Sequence, residues 1–504
     1  MDILPEIVWL GHSVNRRYLE TSRITDIVST AVHVATRQHA LSQAIEWLEA
    51  GRSLVWSQVL ALRTSFHDLK KRYPDLAEAL EEASRQLQRS GYMSHFSTSH
   101  RRFAIQYDHT LREIHRCTGF EDFMRPPKFT NLLPGLKHLE GPVVFINTHP
   151  ASCDTLMLLP DGTLVRIKLH DLTEKRAGLL RSAWLQNLEW CHTRVRRAVL
   201  PNTVPRRGGT TMFCRILARL WTWVVQPILQ HLNLVNESAR IPHITWCPTG
   251  PLTQLPLHAA GIYDAKQHHN PHVFDFAVSS YTPSLSALLR CSQGLDPRSS
   301  QPNMLVVAQP ATPGLSLLPG TQKECARIRA IIPETAYTLL EHEQAVVEKT
   351  AAVINQYPWV HFACHGVQDA TDPTQSAFAL YDGRLTLSML MNTVADNAEL
   401  AFLSACQTAV GDEKIPEESA HLAAGMLVVG FKGVIATMWS IGDEDAPIVA
   451  EAYYKTLLEL RSSGAVRAGQ TGAAYALHDA VKVLREKVGE QNFVKWAPFV
   501  HFGV

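Results

Sequence analysis

The second half of the sequence alternates short apolar segments with helical ones, and this pattern most limits the possible folds. Six apolar segments have the length of strands: 243–248, 274–280, 304–309, 359–364, 399–406 and 433–439. Several lack the polar alternation of a half-exposed strand, which indicates strands covered on both faces. Strands separated by helices predict an α/β fold with a mainly parallel sheet and helices on both faces. In such sheets the functional site lies on loops at the carboxyl ends of the strands.

From Arg23 to about Arg116 the chain has a helical pattern instead. Apolar residues from Ala40 to Thr64 recur at three- and four-residue steps, with Gly51 as the weak point, and a second amphipathic helix is predicted over 75–88. Helical pairs of this kind are usual in tetratricopeptide (TPR) arrays, but no second copy aligns at a period of about 34 residues. The segment is therefore either the end of a repeat array or a plain helical bundle.

The hydrophobic pattern of the sequence changes near residues 130 and 240, which predicts three regions in the chain. Between them lie β-rich runs at 143–148 and 155–169, and then a helical stretch that has no acid between Trp190 and Asn236. That basic stretch either meets an acidic partner or a phosphate, or it is a solvated helical face. The predicted parts are a helical TPR-like segment at 1–130, a β-hairpin and basic helical region at 131–239, and an α/β domain at 240–504.

Charge and cysteine content narrow the class of protein. The 48 basic and 47 acidic residues give a net charge of +1, so no global field favours nucleic acid or an anionic membrane. The first thirty residues do not have the pattern of a signal peptide, and no apolar run reaches the roughly eighteen residues of a transmembrane helix. Nine widely spaced cysteines without a CxxC motif indicate reduced thiols rather than disulfides or zinc. We expect a cytoplasmic protein without nucleic-acid or membrane partners, and without a metal or cofactor.

Two apolar segments end in residues that suit covalent catalysis. The run WVHFACHG ends with His365 and Gly366, and ELAFLSACQT carries Cys406 where the strand is expected to end. An imidazole is the usual base that converts a thiol into a nucleophilic thiolate. The N–H groups of Gly366 and Cys406 are candidates for an oxyanion hole. The open alternative at this point is a buried thiol and a hydrogen-bonded histidine without chemistry.

Several motifs in order resemble one family, the CHAT domain, a caspase-like group of cysteine peptidases related to caspases and separase. The motifs are HFACHG, LSACQT and VIATMWSIGDEDAP, together with segments 247–264, 281–289 and 496–504. The resemblance extends over about 240–504 and implies a caspase-like fold. It implies His365 as the catalytic base, Gly366 at the oxyanion position and Cys406 as the nucleophile. Members of the family commonly carry helical repeats before this domain, in keeping with the first 120 residues.

The acid Asp443 has two interpretations. Related peptidases that cut after a basic residue line the first pocket with an acid that follows the next strand, and Asp443 stands at that place. The resemblance therefore implies that Asp443 binds substrate. Alternatively, Asp443 caps the helix that starts here, with Glu444 and Asp445 in its first turn. Glu418 and His421 similarly belong either to a helix end or to the lining of the site.

Three other residues of the motifs are expected to be structural. Cys364 precedes His365 on its strand, so its side chain is expected to point into the layer between sheet and helices. Cys247 matches no catalytic position of the family, and we interpret His258 as a packing residue.

The predicted function is a cysteine endopeptidase that cleaves a protein or peptide substrate through His365 and Cys406. Its amino-terminal helices would recruit a substrate, or hold the site closed until a protein activator binds. The alternative is a scaffold or recognition protein with a caspase-like fold and no turnover. A nucleotide hydrolase is a third possibility, but the sequence contains no GxxxxGK[ST] motif.

Overall fold

A computed structural model gives the structure of the 504-residue chain. It describes residues 3–52, 54–62, 66–91, 98–197, 211–232, 241–264, 270–295, 303–369, 372–391, 397–405 and 422–504. Within these ranges, no helix has both the length and the apolar character needed to cross a bilayer.

Helices make up the first part of the chain. They are α1 (Leu4–Ile7), α2 (Val14–Arg37), α3 (Leu41–Gly51), α4 (Leu54–Ala61), α5 (His67–Arg72), α6 (Pro74–Gly91), α7 (Thr98–Ile114) and α8 (Phe129–Leu136). The single helix predicted over 40–64 is interrupted after Gly51. A side chain at Gly51 would meet Val28 of α2 at 2.4 Å, so close packing of α2 on α3 requires glycine at this helix end.

The hydrophobic core divides these helices into two groups. Buried residues of α1–α4, such as Leu4, Val32 and Leu48, belong to the same core as the central sheet described below. Helices α5–α7 pack around a second cluster that includes Leu80 and Tyr107. The first four helices therefore share the core of the α/β part. The helical segment is present as predicted, whereas its relation to TPR arrays stays a prediction.

A hairpin and a group of helices follow. The elements are β1 (Val143–Asn147), β2 (Asp154–Leu158), β3 (Leu164–Lys168), α9 (Glu174–Arg197), α10 (Met212–Leu220), a π-helical turn (Trp221–Val225) and α11 (Gln226–His231). The predicted turn at Asp161 and Gly162 joins β2 to β3. Gly162 has a φ of +88°, and the Asp161 carboxylate accepts a hydrogen bond from the N–H of Thr163 at 2.8 Å.

The remaining chain alternates strands and helices as predicted. The strands are β4 (His243–Pro248), β5 (Val278–Tyr281), β6 (Met304–Ala308), β7 (Tyr337–Glu341), β8 (Trp359–Ala363), β9 (His365–Val367), β10 (Ala377–Ala379), β11 (Arg384–Thr386), β12 (Leu400–Ser404), β13 (Gly433–Thr437) and β14 (Phe499–Gly503). The helices are α12 (Val273–Phe276), α13 (Leu285–Ser292), α14 (Gly320–Arg329), α15 (Val347–Val353), α16 (Leu387–Met391), α17 (Leu422–Val429), α18 (Ala446–Ser462), α19 (Ala473–Val488) and α20 (Phe493–Trp496). The strand predicted over 274–280 is wrong in its first half, because a capping box between His272 and Asp275 starts a helical turn there.

Within the described ranges, eleven strands form one sheet in the order β3-β2-β1-β4-β5-β14-β13-β12-β8-β6-β7. The pairs β1–β2, β2–β3 and β13–β14 are antiparallel, and the other pairs are parallel. Helices α14, α18 and α19 pack together on one face, while α13 and α17 pack together on the other. The predicted α/β class, with a mainly parallel sheet and helices on both faces, is confirmed. Strands β9–β11 form a separate small sheet.

The amino-terminal helices contact the large sheet at the end where β4 and β5 finish. The Glu49 carboxylate of α3 accepts hydrogen bonds from the first two N–H groups of α13, at 2.7 and 2.9 Å. The Arg52 guanidinium donates to the carbonyls of Pro248 and Pro283, where β4 and β5 end, at 3.0 and 2.8 Å. Strand β14 is parallel to β5 and antiparallel to β13, and β13, β12 and β8 are parallel to one another. The carboxyl ends of β4 and β5 therefore lie at the opposite end of the sheet from the carboxyl ends of β8 and β12.

Candidate active site

Strands β8 and β12 lie side by side in the sheet and end at the same level. They are parallel, and Ala363, the last residue of β8, pairs with Ser404, the last residue of β12. His365 and Cys406 each follow these paired residues by two positions in the sequence. The structure describes His365, whereas Cys406, Glu418 and His421 lie outside the described residues. The two strand ends that the sequence singled out are therefore neighbours.

His365 is half-buried, and one of its ring nitrogens is engaged. Its Nε2 lies 2.7 Å from the main-chain carbonyl oxygen of Ser316. Because a carbonyl can only accept, Nε2 carries the hydrogen, and in the neutral ring the lone pair then resides on Nδ1. Among the described residues, none forms a hydrogen bond with Nδ1. This arrangement leaves one nitrogen available to accept a proton.

The loop that contains Ser316 is anchored on both sides. It follows β6, and the N–H of Gln309 at its start donates to the carbonyl of Ala363 at 2.8 Å. The loop is closed by a hydrogen bond from the N–H of Leu318 to the carbonyl of Pro310 at 2.8 Å. The role of Ser316 could not be predicted from the sequence, because a main-chain carbonyl leaves no signature in residue types.

The neighbouring main chain is held by hydrogen bonds as well. Gly366 lies on β9 and pairs with Phe378 of β10, so the chain leaves the large sheet after Ala363 and joins the small sheet at His365. On the β12 side, the Thr437 hydroxyl donates to the carbonyl of Ala405, the last described residue before Cys406, at 2.8 Å. The predicted oxyanion roles of Gly366 and Cys406 stay predictions.

Asp443 caps a helix, but not the one predicted. Its Oδ2 accepts a hydrogen bond at 2.6 Å from the N–H of Gly320, the first residue of α14. The helix that follows Asp443 begins at Ala446, and its N-cap residue is Asp445. The predicted cap on that helix is therefore wrong, because the chain needs two more residues before the helix starts. The predicted role of Asp443 in binding substrate remains a prediction.

The two acids after Asp443 face one lysine. Lys495 lies 2.7 Å from the carboxylate of Glu444 and 3.5 Å from that of Asp445. The hydrogen bond from Lys495 lowers the pKa of Glu444. Burial raises the pKa of Asp445, and the charge of Lys495 opposes that shift only in part. These two acids are thus already engaged within the protein.

A group of four buried polar side chains lies behind the strand ends, and no sequence motif had pointed to it. It consists of Glu324 on α14, His361 on β8, Ser404 on β12 and Tyr454 on α18, each less than 8% exposed. One available signal was Glu324 itself, an acid on the buried face of α14 beside Cys325 and Ile328.

The family description of the CHAT domain matches residues 215–504, which is more than half of the chain. The chain belongs to the CHAT domain family. The resemblance stated from the motifs is confirmed. The matched region includes every strand of the large sheet from β4 onward and all residues proposed above for the site.

Solved structures to which the chain is similar include the separase–securin complex of Saccharomyces cerevisiae. It is 12% identical, with a TM-score of 0.49, and the match covers 94% of the CHAT protein and 37% of that chain. The CHAT protein therefore spans little more than a third of the length of the separase chain. Another is the Arg-specific cysteine proteinase gingipain R of Porphyromonas gingivalis, 12% identical, with a TM-score of 0.37 and coverage of 56% and 68%. No curated protein matches the sequence.

Three CHAT motifs meet at His258. Its Nδ1 lies 2.8 Å from the hydroxyl of Tyr281, and its Nε2 lies 2.9 Å from the carbonyl of Ala497. Burial lowers the pKa of His258 to about 4, so the ring is neutral at pH 7. These contacts join motifs that are far apart in the sequence, which agrees with a packing role.

The other CHAT-motif cysteines lack the surroundings of a reactive thiol. Cys364 is 1% exposed. Cys247 is fully buried, and burial raises its pKa to about 12, far above the range of an activated thiol. Among the described residues, no three His, Cys, Asp or Glu side chains are grouped so that they could hold a metal ion.

Proposed function

We propose that this CHAT protein is a cysteine endopeptidase in which His365 is the general base and Cys406 is the nucleophile. One observation carries the proposal: Ala363 and Ser404 pair at the ends of β8 and β12, and the two candidate residues follow them by the same number of positions. The lone pair on Nδ1 of His365 supports it, because a thiol needs such an acceptor.

The proposed reaction proceeds in two steps. Nδ1 of His365 takes the proton from Cys406, and the thiolate attacks the scissile carbonyl carbon. The N–H groups of Gly366 and Cys406 stabilise the oxyanion. His365 then gives its proton to the leaving amine, which leaves a thioester on Cys406. A water molecule, deprotonated by His365, hydrolyses the thioester and releases the acid product.

We further propose that Asp443 selects substrates with Lys or Arg before the cleaved bond. Its Oδ2 binds the N–H of Gly320, but its Oδ1 has no partner among the described residues. A carboxylate with one oxygen held by main chain and the other available suits a charge-assisted bond to a basic side chain. The capping contact and substrate binding are therefore compatible.

Regulation by the amino-terminal helices is proposed through α17. Helix α4 packs against α17, which is the helix that follows the segment containing Cys406. The contacts of Glu49 and Arg52 lie at the opposite end of the sheet from His365. This placement does not favour a mechanism in which the amino-terminal helices cover the active site directly. We propose that a protein activator or substrate bound to these helices acts through α17, and that the protein works in the cytoplasm.

The test is a peptide-library cleavage assay with the full chain. The wild type is compared with Cys406→Ala and with the matched control Cys364→Ala, which removes a buried thiol from the adjacent strand. Cleavage by the wild type and the control, but not by Cys406→Ala, is the expected result. Equal residual activity in the two variants contradicts the proposed nucleophile. No cleavage, together with no selective labelling of Cys406 by a thiol reagent, favours the scaffold alternative.

A further inference from the structure

The four buried polar side chains behind the strand ends form a connected group. The Ser404 hydroxyl donates to Oε2 of Glu324 at 3.0 Å. Nε2 of His361 lies 3.2 Å from Oε1 of the same carboxyl group. Nδ1 of His361 lies 3.0 Å from the hydroxyl of Tyr454. One carboxyl group thus contacts both β8 and β12.

The position of this group relative to the site is specific. Ser404 is two residues before Cys406, and His361, on β8, is four residues before His365, the first residue of β9. The side chains of His361 and Ser404 both point to the face covered by α14 and α18, because they contact Glu324 and Tyr454 of those helices. The group therefore ties together the two strands that lead to the proposed base and nucleophile.

Helix α14 is also connected to the ring of His365. The loop before α14 supplies the Ser316 carbonyl that binds Nε2, and the first N–H of α14 is held by Asp443. The same helix thus contacts β8 and β12 through Glu324 and positions His365 through the loop at its amino-terminal end.

A buried carboxyl group is costly unless partners compensate for the loss of water, whereas apolar residues fill such a space without that cost. A buried polar contact, in contrast, holds its partners in the geometry in which it is made. Oε2 of Glu324 accepts a hydrogen bond from Ser404, whereas Oε1 and Nε2 of His361 form a close polar contact at 3.2 Å without the alignment of a hydrogen bond. At Glu324 the partners lie on the two strands whose relative placement the proposed reaction needs.

We propose that Glu324 is a positioning residue, which fixes the relative placement of β8 and β12, and so of His365 and Cys406, through His361 and Ser404. This inference rests on the proposed function. It assigns no contact with substrate to Glu324.

The test measures how fast iodoacetamide labels Cys406 in the full chain at pH 7, as a ratio to the labelling of Cys117. Cys117 is a half-buried thiol in the second helical cluster, far along the chain from the site. Its labelling rate therefore corrects for differences in reagent concentration and solution conditions. The wild type, His365→Ala, Ser404→Ala and Glu324→Gln are compared by mass spectrometry. We expect the ratio to fall about tenfold or more in Ser404→Ala and Glu324→Gln, because small displacements of reacting groups cost up to about a hundredfold in rate.

Ser280→Ala is the matched control. Ser280 is a buried serine on β5 of the same sheet, and its hydroxyl contacts His243 and His501 at 2.7 and 2.6 Å. The Ser280→Ala variant should lower Tm as Ser404→Ala does, but it should leave the labelling ratio unchanged. Labelling must be measured on folded protein, and Ser404→Ala decides the test if Glu324→Gln does not fold.

Three different results would overturn the inference. In the first, the ratio falls in His365→Ala but is unchanged in Ser404→Ala and Glu324→Gln. In the second, it falls equally in Ser280→Ala. Either result contradicts the role of Glu324 and leaves the proposed function intact. A wild-type ratio equal to that of His365→Ala shows that Cys406 is not activated. That result contradicts the proposed function, and this inference with it.

Discussion

Nε2 of His365 donates a hydrogen bond of 2.7 Å to the main-chain carbonyl oxygen of Ser316. Because the acceptor belongs to the main chain, the hydroxyl of the exposed Ser316 side chain takes no part in the contact. We predict that Ser316→Ala changes kcat/KM by no more than about twofold, because the carbonyl acceptor remains and a surface substitution usually alters stability by only about 0.5 kcal/mol. Peptide cleavage by the purified variant measures this. A tenfold loss would show that the hydroxyl itself contributes.

The close approach of α14 to Asp443 gives a second prediction. A Cβ atom at Gly320 would lie 1.9 Å from the carbonyl oxygen of Asp443, so Gly320→Ala must displace the start of α14 and the loop before it. We expect kcat to fall about tenfold, because that loop positions His365. The assay is peptide cleavage at saturating substrate, with Tm measured in parallel.

The control for this substitution is Gly178→Ala on α9. A Cβ atom at Gly178 meets no atom within 4 Å, so the variant should keep full activity and gain up to about 1 kcal/mol of stability from higher helix propensity. Unchanged kcat in Gly320→Ala would contradict the link between α14 and His365.

Asp443→Asn separates the capping contact from substrate recognition. Asparagine still accepts the hydrogen bond from Gly320 but carries no charge. We predict that kcat/KM for peptides with Lys or Arg before the cut falls about tenfold to a hundredfold, since hydrogen bonds to charged groups contribute about 1.5–3 kcal/mol. Peptides with other residues at that position should be unaffected.

The control here is Glu444→Gln, next in the chain. Glu444 is exposed and already paired with Lys495 at 2.7 Å, so its loss should not alter the preference. If Asp443→Asn keeps the wild-type preference, Asp443 only caps α14.

The features that the sequence predicted well are those set by local pattern. Apolar runs such as 304–308 and 359–363 are long enough and apolar enough to identify buried strands, and the turn at Gly162 follows from the conformation glycine permits. The placement of His365 at a strand end follows from the same patterns.

The missing features depend on contacts between distant parts of the chain. The helix capped by Asp443 begins at Gly320, more than a hundred residues earlier, and no local pattern names that partner. Likewise, Ser316 contributes only its main-chain carbonyl to the contact with His365. The proposed role of Glu324 depends on its contacts with His361 and Ser404, which lie on other elements. Such contacts exist only once the sheet order is set.

A stability prediction concerns the attachment of the amino-terminal helices. Glu49 is 8% exposed, and its carboxylate accepts two N–H groups at the start of α13. Glu49→Ala leaves these donors without their acceptor, so we predict a loss of about 3 kcal/mol in the free energy of unfolding. Urea unfolding of the full chain measures it.

The comparison is Arg327→Ala, which removes an exposed ion pair with Glu451 and should cost less than about 1 kcal/mol. A similar small cost for Glu49→Ala would mean that water or another group replaces the contact, and that the helices are held mainly by apolar packing.

The last prediction concerns acid sensitivity and His501. This residue is fully buried beside Ser280, and burial, with a smaller contribution from His243, lowers its pKa from 6.5 to about 3. As the pH falls below 6.5 the unfolded chain binds a proton at His501 that the folded chain does not bind until about pH 3. Folding is therefore independent of this group above pH 6.5, and it is weakened progressively below it.

From pH 7 to pH 5, His501 should lower the free energy of unfolding by about 2 kcal/mol, since one pKa unit corresponds to about 1.4 kcal/mol. Urea unfolding of the wild type and of His501→Asn at both pH values measures this contribution. Asparagine offers Ser280 an acceptor but does not titrate, so the variant should lose about 2 kcal/mol less on acidification, whatever its stability at pH 7. The same loss in both proteins would show that His501 is already able to bind a proton in the folded state, through water or through local opening of β14.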